Sequence, residues 1–600
     1  MVSLLTVSSK IFRPKASRSD SILAVLRPVA PTRPPARPLS YSSQLTARAL
    51  PIPTTRAAQS RANPFVAHLR TLRTSPKLSM ASITTRKADQ PTLFIDGQWR
   101  FSSDGRSRPS INPWDGSIIT HVSEASPSDA SLAISSSSHF FKTSSFAHLT
   151  FSERAGLLSK IADLLQRDKK RLSEIETKDT GKTLAESETD VDDVTNVFRF
   201  YAEEAPKLDI PRRITGHDVP DSVESITVKD PVGVCVLIAP WNYPLLQICW
   251  KLAPALAAGN ACIIKPSEVT PLVTIELVKL MLEAGVPPKA LQLLTAGGES
   301  VGPTLTESED VDLVSFTGGL NTGRSILKSA AGTVKRTCVE LGGKNPQVVF
   351  ADTPLDRAID TVLTSVFLHS GQVCTSATRL IVEESIADAV VSGVVERASQ
   401  IRLGNGLDPS SETGPLVSAA HLAKMDQYIA MGKKDGAVLR CGGSKPDRND
   451  ERYRHLHKDG FFFLPTVFDK CHRDMQIVQA ETFGPILTVE RFANGDEERA
   501  IFLANDTKYG LGGGVQSGDA AKASRVARRL RHGTVWTNTY GAYTPRAEWG
   551  GFGMSGNGRE LGLAGIEEYV ETKHMYTETN PALMGWFKGL PQSEPNKAKL

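Results

Sequence analysis

Cysteine is scarce in this 600-residue chain. The seven cysteines are scattered from Cys235 to Cys471, their number is odd, and no CxxC pair occurs. That argues against a disulfide framework and against a structural zinc site, and it fits a reducing compartment. No metal is expected. Long apolar runs are also missing. The longest candidate, Leu245 to Ile264, is broken by Lys251, Pro254, Gly259 and Asn260, so no membrane insertion is expected. Acid is nearly absent at the start. Fifteen Lys or Arg precede Pro91, against only Asp20 and Asp89. The formal charge of +5 therefore hides an acidic body, because the remainder carries 55 basic and 63 acidic side chains, net −8. An acidic body argues against nucleic-acid binding.

What is present reads as a soluble globular protein, with 40% apolar and 22% charged residues. Its length calls for two or three domains. Residues 1–85 are rich in Arg, Ser, Pro and Ala. This is the composition of an organelle transit peptide, mitochondrial in type, or of a basic disordered tail. Met80 offers a second start that would give a cytosolic form. The final Ala598-Lys599-Leu600 is similar to the peroxisomal SKL address.

From Pro91 the pattern is globular. "TLFIDGQWR" predicts a strand pair turning at Asp96-Gly97. Apolar spacing predicts a helix over Ser152–Lys170. "GVCVLIAP", "NACIIKP", "DLVSFTGG" and "NPQVVFAD" read as buried strands, with helical "TPLVTIELVKLMLEAG" and "GLNTGRSILKSAAG" between them. Such alternation predicts an α/β fold with a doubly wound parallel sheet. "TRLIVEES", "SIADAVVSGVVERASQI", "FFLPTVF" and "GPILTVERF" predict a second α/β unit. No internal repeat is seen.

Several segments could carry chemistry. "HSGQVCTSATR" sets Cys374 among small and hydroxylated residues. It could be a nucleophile, a metal ligand, a disulfide half or a core residue. "ELGGKNP" puts Glu340 at a strand end, where burial can raise its pKa and make it a general base. "APWNYP" fixes Asn242 between an aromatic pair and two prolines, and a rigid amide can stabilise an oxyanion. "IIKPSE" offers Lys265 and Glu268 to the hydroxyls of a nucleotide. "FTGGLNTG" brings Gly318, Gly319 and Gly323 to a strand–helix junction, as a pyrophosphate needs, though without the regular GxGxxG spacing.

In order and spacing, "PWNYP", "KPSE", "FTGG", "ELGGKNP", "GQVCT", "ETFGP" and "GTVWTN" resemble the aldehyde dehydrogenase superfamily from about Pro91 to Lys573. The resemblance implies a Rossmann-like NAD-binding domain over 86–208 and 232–342. It implies an α/β catalytic domain over 343–558, returning to the first near its end. A small β oligomerisation element is implied over 209–231 and 559–578, with a tail over 579–600, and a homodimer or homotetramer follows. It implies that Cys374 attacks a small-molecule aldehyde, that Asn242 and the Cys374 N–H hold the oxyanion, and that Glu340 activates water. Lys265 is implied in both the catalytic and the cofactor set. The NAD cleft is implied to use Ile238, Ala239, Pro240, Trp241, Lys265, Ser267, Glu268, Gly298, Gly302, Phe316, Thr317, Gly318, Gly319, Leu341, Glu481 and Phe483. At Gly319 the family often has a serine. A Cys–His hydrolase using His369 is a rival reading that leaves the cofactor motifs unexplained. A catalytically inactive member is another.

The finer resemblance, on "WNYPLLQICWKLAPALAAGNACIIKPSE" and "AEWGGFGMSGNGRELG", is to the betaine-aldehyde and aminoaldehyde branch. It implies an aromatic substrate cage of Tyr243, Trp250, Tyr543 and Trp549, suited to a quaternary ammonium. Leu368 stands where plant members often have Trp. Thr534, at a position of variable size, is small enough to leave room. The expected substrate is betaine aldehyde, giving glycine betaine. ω-Aminoaldehydes and broader aliphatic aldehydes follow.

Overall fold

Runs such as VCVLI and ACIIK are apolar on both faces, which suits strands covered by helices on either side. In the computed structural model, which describes residues 83–581 together with 584, 586 and 587, such runs form the middle of an eight-stranded sheet. The targeting segment, Met80 and Ala598-Lys599-Leu600 lie outside the described residues. The sheet order is Gly556–Asn557, Arg336–Leu341, Leu313–Gly318, Val234–Ile238, Ala261–Lys265, Leu291–Leu293, Leu93–Ile95, Gln98–Arg100. The strands from Arg336–Leu341 to Leu291–Leu293 are parallel. Chain order reverses at Val234–Ile238, which has the next strand on one side and the later Leu313–Gly318 on the other. Such a reversal opens a crevice beyond the carboxyl ends of the strands. Register brings Ile238 opposite both Lys265 and Phe316, and Gly318 opposite Leu341, at that edge.

A seven-stranded sheet follows, ordered Val438–Cys441, Thr466–Asp469, Ile486–Phe492, Arg379–Glu383, Pro346–Val349, Gly512–Gln516, Thr534–Thr537. All its pairs are parallel except the one made by Val438–Cys441. The strand expected at "FFLPTVF" starts only at Thr466, because Pro465 has no N–H to give a ladder. A three-stranded sheet pairs Val570–Glu578 with Val223–Pro231 and then Arg212–Arg213.

Local chemistry explains several ends. Asp96 (φ 54°) and Gly97 (φ 78°) form the left-handed pair of a tight hairpin. The helix expected over Ser152–Lys170 runs from Phe151 to Arg167, started by a Thr150–Glu153 capping box. It breaks at Asp168 (φ −98°, ψ 12°), and Lys169–Thr180 continues as a second helix. The helix Pro244–Ala258 is buried along its whole length, with Lys251 in its middle.

Candidate active site

Cys374 lies between the helix Leu355–Phe367 and the strand Arg379–Glu383. The chain reaches it through three left-handed residues, His369 (φ 48°), Ser370 (φ 53°) and Gly371 (φ 71°). Ser370 is held by its N–H, which donates to Thr413 Oγ1 at 2.9 Å, and by its hydroxyl, which donates to Gly414 O at 2.6 Å. At Gly371 a Cβ would clash with the Gly484 carbonyl, so "SGQVC" meets "ETFGP" backbone to backbone. Asn345 Nδ2 donates to Cys374 O at 2.9 Å and Ser376 O at 3.0 Å, and the Tyr540 hydroxyl donates to Thr375 O at 2.7 Å. The loop that carries Cys374 is therefore fixed through its main chain. Asn242 is buried, donates one amide hydrogen to Gln372 O at 2.9 Å, and lines the same cavity as Cys374. Its second amide hydrogen is left for a ligand.

Glu340 is next to last in its strand, opposite Thr317 on one side and Gly556 on the other. The Thr317 hydroxyl donates to Glu340 Oε2 at 3.2 Å, and Trp549 Nε1 donates to Oε1 at 3.4 Å. Behind Thr317, Lys251 Nζ donates to its hydroxyl at 2.6 Å and pairs with Glu560. Burial, then the Glu560 charge, push the Glu340 carboxyl up to about 7, with Lys251 opposing. Burial and the Glu340 carboxylate beside it push the Cys374 thiol well up. The resting thiol is therefore neutral, next to a carboxyl able to take its proton. His369 makes no such pair. It is 1% exposed, its ring meets the Tyr243 edge with centroids 5.5 Å apart, and it is not among the residues lining the Cys374 cavity. His369, the partner named by the hydrolase reading, is not placed in that cavity.

The cavity holding Cys374 and Asn242 measures about 250 Å³ and is also lined by Pro240, Trp241, Thr317, Gly318, Gly319, Leu341, Glu481 and Phe483. Ile238, Ala239 and Phe316 are buried and do not line it. The helix Leu320–Ala331 starts at Gly319 with no side-chain cap, and a Cβ at Gly319 would meet nothing within 4 Å. Glu481 approaches from the second sheet. A Cβ at Gly342 would collide with its carboxylate, and the Gly343 N–H donates to Glu481 Oε1 at 3.0 Å. Burial pushes Glu481 up to about 7, against the pull of that N–H.

A separate cleft is lined by Glu268, Gly298, Glu299 and Thr322. Gly302 sits inside the helix Gly298–Glu307, and Ser267 Oγ accepts the Val269 N–H at 3.2 Å. Lys265 Nζ donates to Pro266 O at 3.1 Å and lies 3.9 Å from Glu268. It lines neither the Cys374 cavity nor the cleft at Glu268.

The aromatic residues split. Trp250, Tyr543 and Trp549 pack edge to face, with centroids 5.3, 5.3 and 5.8 Å apart. Trp250 is 2% exposed and backs the other two. Tyr243 has Lys182 Nζ 4.1 Å over its ring and the His369 ring 5.5 Å away. Leu368 lines a different cleft, with Arg397 and Arg402. The Tyr543 hydroxyl donates to Asp193 Oδ2 at 2.8 Å.

The sequence reading missed Asn345, Gln372, Tyr540, Lys251, Glu560 and Asp193. Four had left a signal. Asn345 lies inside "ELGGKNP", Gln372 inside "GQVCT" and Glu560 inside "AEWGGFGMSGNGRELG", and Lys251 is a lone charge in an apolar helix.

Cys374 and Asn242 thus share one cavity, with the buried Glu340 carboxyl beside the thiol. Residues 99–575 match the Aldehyde dehydrogenase family, and the chain belongs to it. It is 49% identical over 496 residues to the betaine aldehyde dehydrogenase of Bacillus subtilis (strain 168), covering 83% of this chain and 99% of that one. It is 39% identical over 499 residues to peroxisomal aminoaldehyde dehydrogenase 1 of Pisum sativum, covering 83% and 97%. The crystal structure of Staphylococcus aureus betaine aldehyde dehydrogenase in complex with NAD+ is similar at a TM-score of 0.80 and 44% identity, covering 84% of this chain and 97% of that one.

Proposed function

We propose that the protein oxidises betaine aldehyde to glycine betaine with NAD. The residues present fit a dinucleotide. The crevice lies at the chain reversal, the open helix start at Gly319 suits a pyrophosphate, and the carboxylates of Glu268 and Glu481 suit ribose hydroxyls. A bound NAD would supply the hydride acceptor for the substrate carbon. The other steps belong to this chain. Glu340 takes the thiol proton, and Cys374 Sγ attacks the aldehyde carbon to give a thiohemiacetal. Asn242 Nδ2 and the Cys374 N–H steady its oxyanion. Once Glu340 has released the thiol proton to solvent, it takes a proton from the water that attacks the Cys374 thioester, and cleavage of the C–S bond frees the carboxylic acid and returns a proton to the thiolate.

The observation that carries the substrate reading is the Tyr543–Asp193 hydrogen bond beside Trp549. A phenol donating to a carboxylate is electron-rich, and the pair adds negative charge beside an aromatic face, as a cation needs. Burial pushes Asp193 up to about 6, with the Tyr543 hydrogen bond opposing, so it is mostly ionised at neutral pH. The relatives named for betaine aldehyde and for aminoaldehydes support the same cationic class. A purified-enzyme screen of aldehydes with NAD and NADP tests it. The highest kcat/KM is expected for betaine aldehyde with NAD, because Glu268 repels a 2′-phosphate. A neutral aliphatic aldehyde ranking first, or a preference for NADP, overturns the corresponding half. Light scattering on the same sample is expected to report a dimer or tetramer, because Val570–Glu578 is a sheet edge exposing Met575 and Tyr576.

Asp193→Asn is expected to raise KM for betaine aldehyde about ten-fold while a neutral aldehyde of similar size moves less than about two-fold. Equal weakening of both would reduce Asp193 to a packing role. Trp549→Ala is a poorer test, since Trp549 also donates to Glu340.

The acid-poor start supports mitochondrial delivery, with peroxisomal delivery through Ala598-Lys599-Leu600 as the alternative. The pea relative is described as peroxisomal. N-terminal sequencing of protein from purified mitochondria should begin after residue 1 and before Pro91, and a full-length cytosolic protein alone would exclude both routes.

A further inference from the structure

The helix Ala419–Lys434 runs beside the cavity that holds Cys374. Its residues His421, Lys424 and Tyr428 all line that cavity. Their spacing puts them on one helix face. Two of them reach the main chain of the segment carrying Glu481 and Phe483. His421 Nε2 lies 2.7 Å from Phe483 O, and the Tyr428 hydroxyl donates to Glu481 O at 2.9 Å. A carbonyl only accepts, so Nε2 carries the hydrogen. Burial keeps the ring neutral by lowering His421 to about 4. At the far end of the same helix, Asp435 Oδ2 accepts the Ile477 N–H at 3.0 Å.

The tethered segment needs holding. Phe483 has φ 52°, in the left-handed region that a side chain disfavours. Such a backbone persists only where its surroundings over-determine it. The Thr482 hydroxyl is buried and contributes no hydrogen bond. The His421 ring also packs on Trp241, and Trp241 on Phe483, each with centroids 5.2 Å apart.

We propose that this helix face is a clamp that sets Glu481 and Phe483 against the nicotinamide end of the cofactor, with His421 and Tyr428 as positioning residues. The proposal rests on the reading that Glu481 and Phe483 contact NAD. Neither clamp residue touches a reacting atom. They act through two carbonyls of a strained turn.

The test uses the full-length enzyme and NAD itself, with affinity read from quenching of tryptophan fluorescence and kinetics read alongside. His421→Ala is expected to weaken NAD about ten-fold, the scale of one net hydrogen bond, with aldehyde KM moving less than about two-fold. His421→Gln, whose amide can donate at similar reach, is expected to recover NAD affinity to within about three-fold. Tyr428→Phe is expected to resemble His421→Ala. If His421→Ala does not fold, the Tyr428→Phe result decides alone. Unchanged NAD affinity in His421→Ala and Tyr428→Phe, while Phe483→Ala loses it, overturns the clamp. Equal losses in NAD and aldehyde, with no recovery by His421→Gln, also overturn it. Unchanged NAD affinity in Phe483→Ala overturns instead the cofactor reading beneath it.

Discussion

Cys374→Ser is expected to lower kcat on the order of 10⁵-fold, the scale on which a covalent mechanism feels the loss of its nucleophile. The reason is ionisation. The Cys374 thiol is already pushed up by burial and by Glu340. A serine hydroxyl starts far higher, and a carboxylate near 7 cannot take its proton. None of the other six cysteines lines the cavity shared by Cys374 and Asn242. NAD affinity should be unchanged, because Asn345 and Tyr540 hold the loop through its main chain. Near-normal turnover of Cys374→Ser, with Cys338→Ser inactive, would sink the assignment.

Glu340→Gln is expected to reduce kcat about 10²–10⁴-fold, the usual worth of a general base. Where acylation survives, the thioester should accumulate and be visible by mass spectrometry after mixing with aldehyde and NAD. The pH dependence follows from the sign of the shift. The base works ionised and its folded value is about 7, so kcat should rise with pH through 7 and fall below it. Glu340→Gln should lack that limb. A raised carboxyl binds its proton more tightly in the folded chain. Its contribution to stability is therefore present at low pH and lost as pH rises from the ordinary carboxylate range through 7. The glutamine variant should accordingly melt higher than the parent at alkaline pH. An unchanged pH profile and unchanged turnover would remove Glu340 from the chemistry.

The motifs are legible because each combines a strand end with residues the chemistry cannot replace. Cys374, Asn242, Glu340 and the glycines of "FTGG" are local features, and the parallel strands around them follow from short apolar runs. The remainder is not local. Lys251 meets Glu560 across 309 positions, and Tyr543 meets Asp193 across 350. Periodicity carries no information at that distance. In the sequence Lys251 is an interruption of an apolar run, whereas in the fold its charge is matched inside the core. The resemblance names Tyr243, Trp250, Tyr543 and Trp549 together, but that Trp250 packs edge to face on Tyr543 and Trp549 while Lys182 sits over Tyr243 needs the fold. The helix break at Asp168 also escapes a reading by periodicity, since the chain stays helical on either side of it.

The neighbours of Glu340 arrive late in synthesis. Its strand is flanked by Gly556, its carboxylate receives Trp549, and the charge behind it is Glu560. A ribosome therefore delivers the thiol long before it delivers the residues that tune its base. A nascent chain, or one cut short before Gly556, carries Cys374 in an environment that is not yet set. The surroundings of the carboxylate are thus assembled from segments 209 to 220 positions further along the chain.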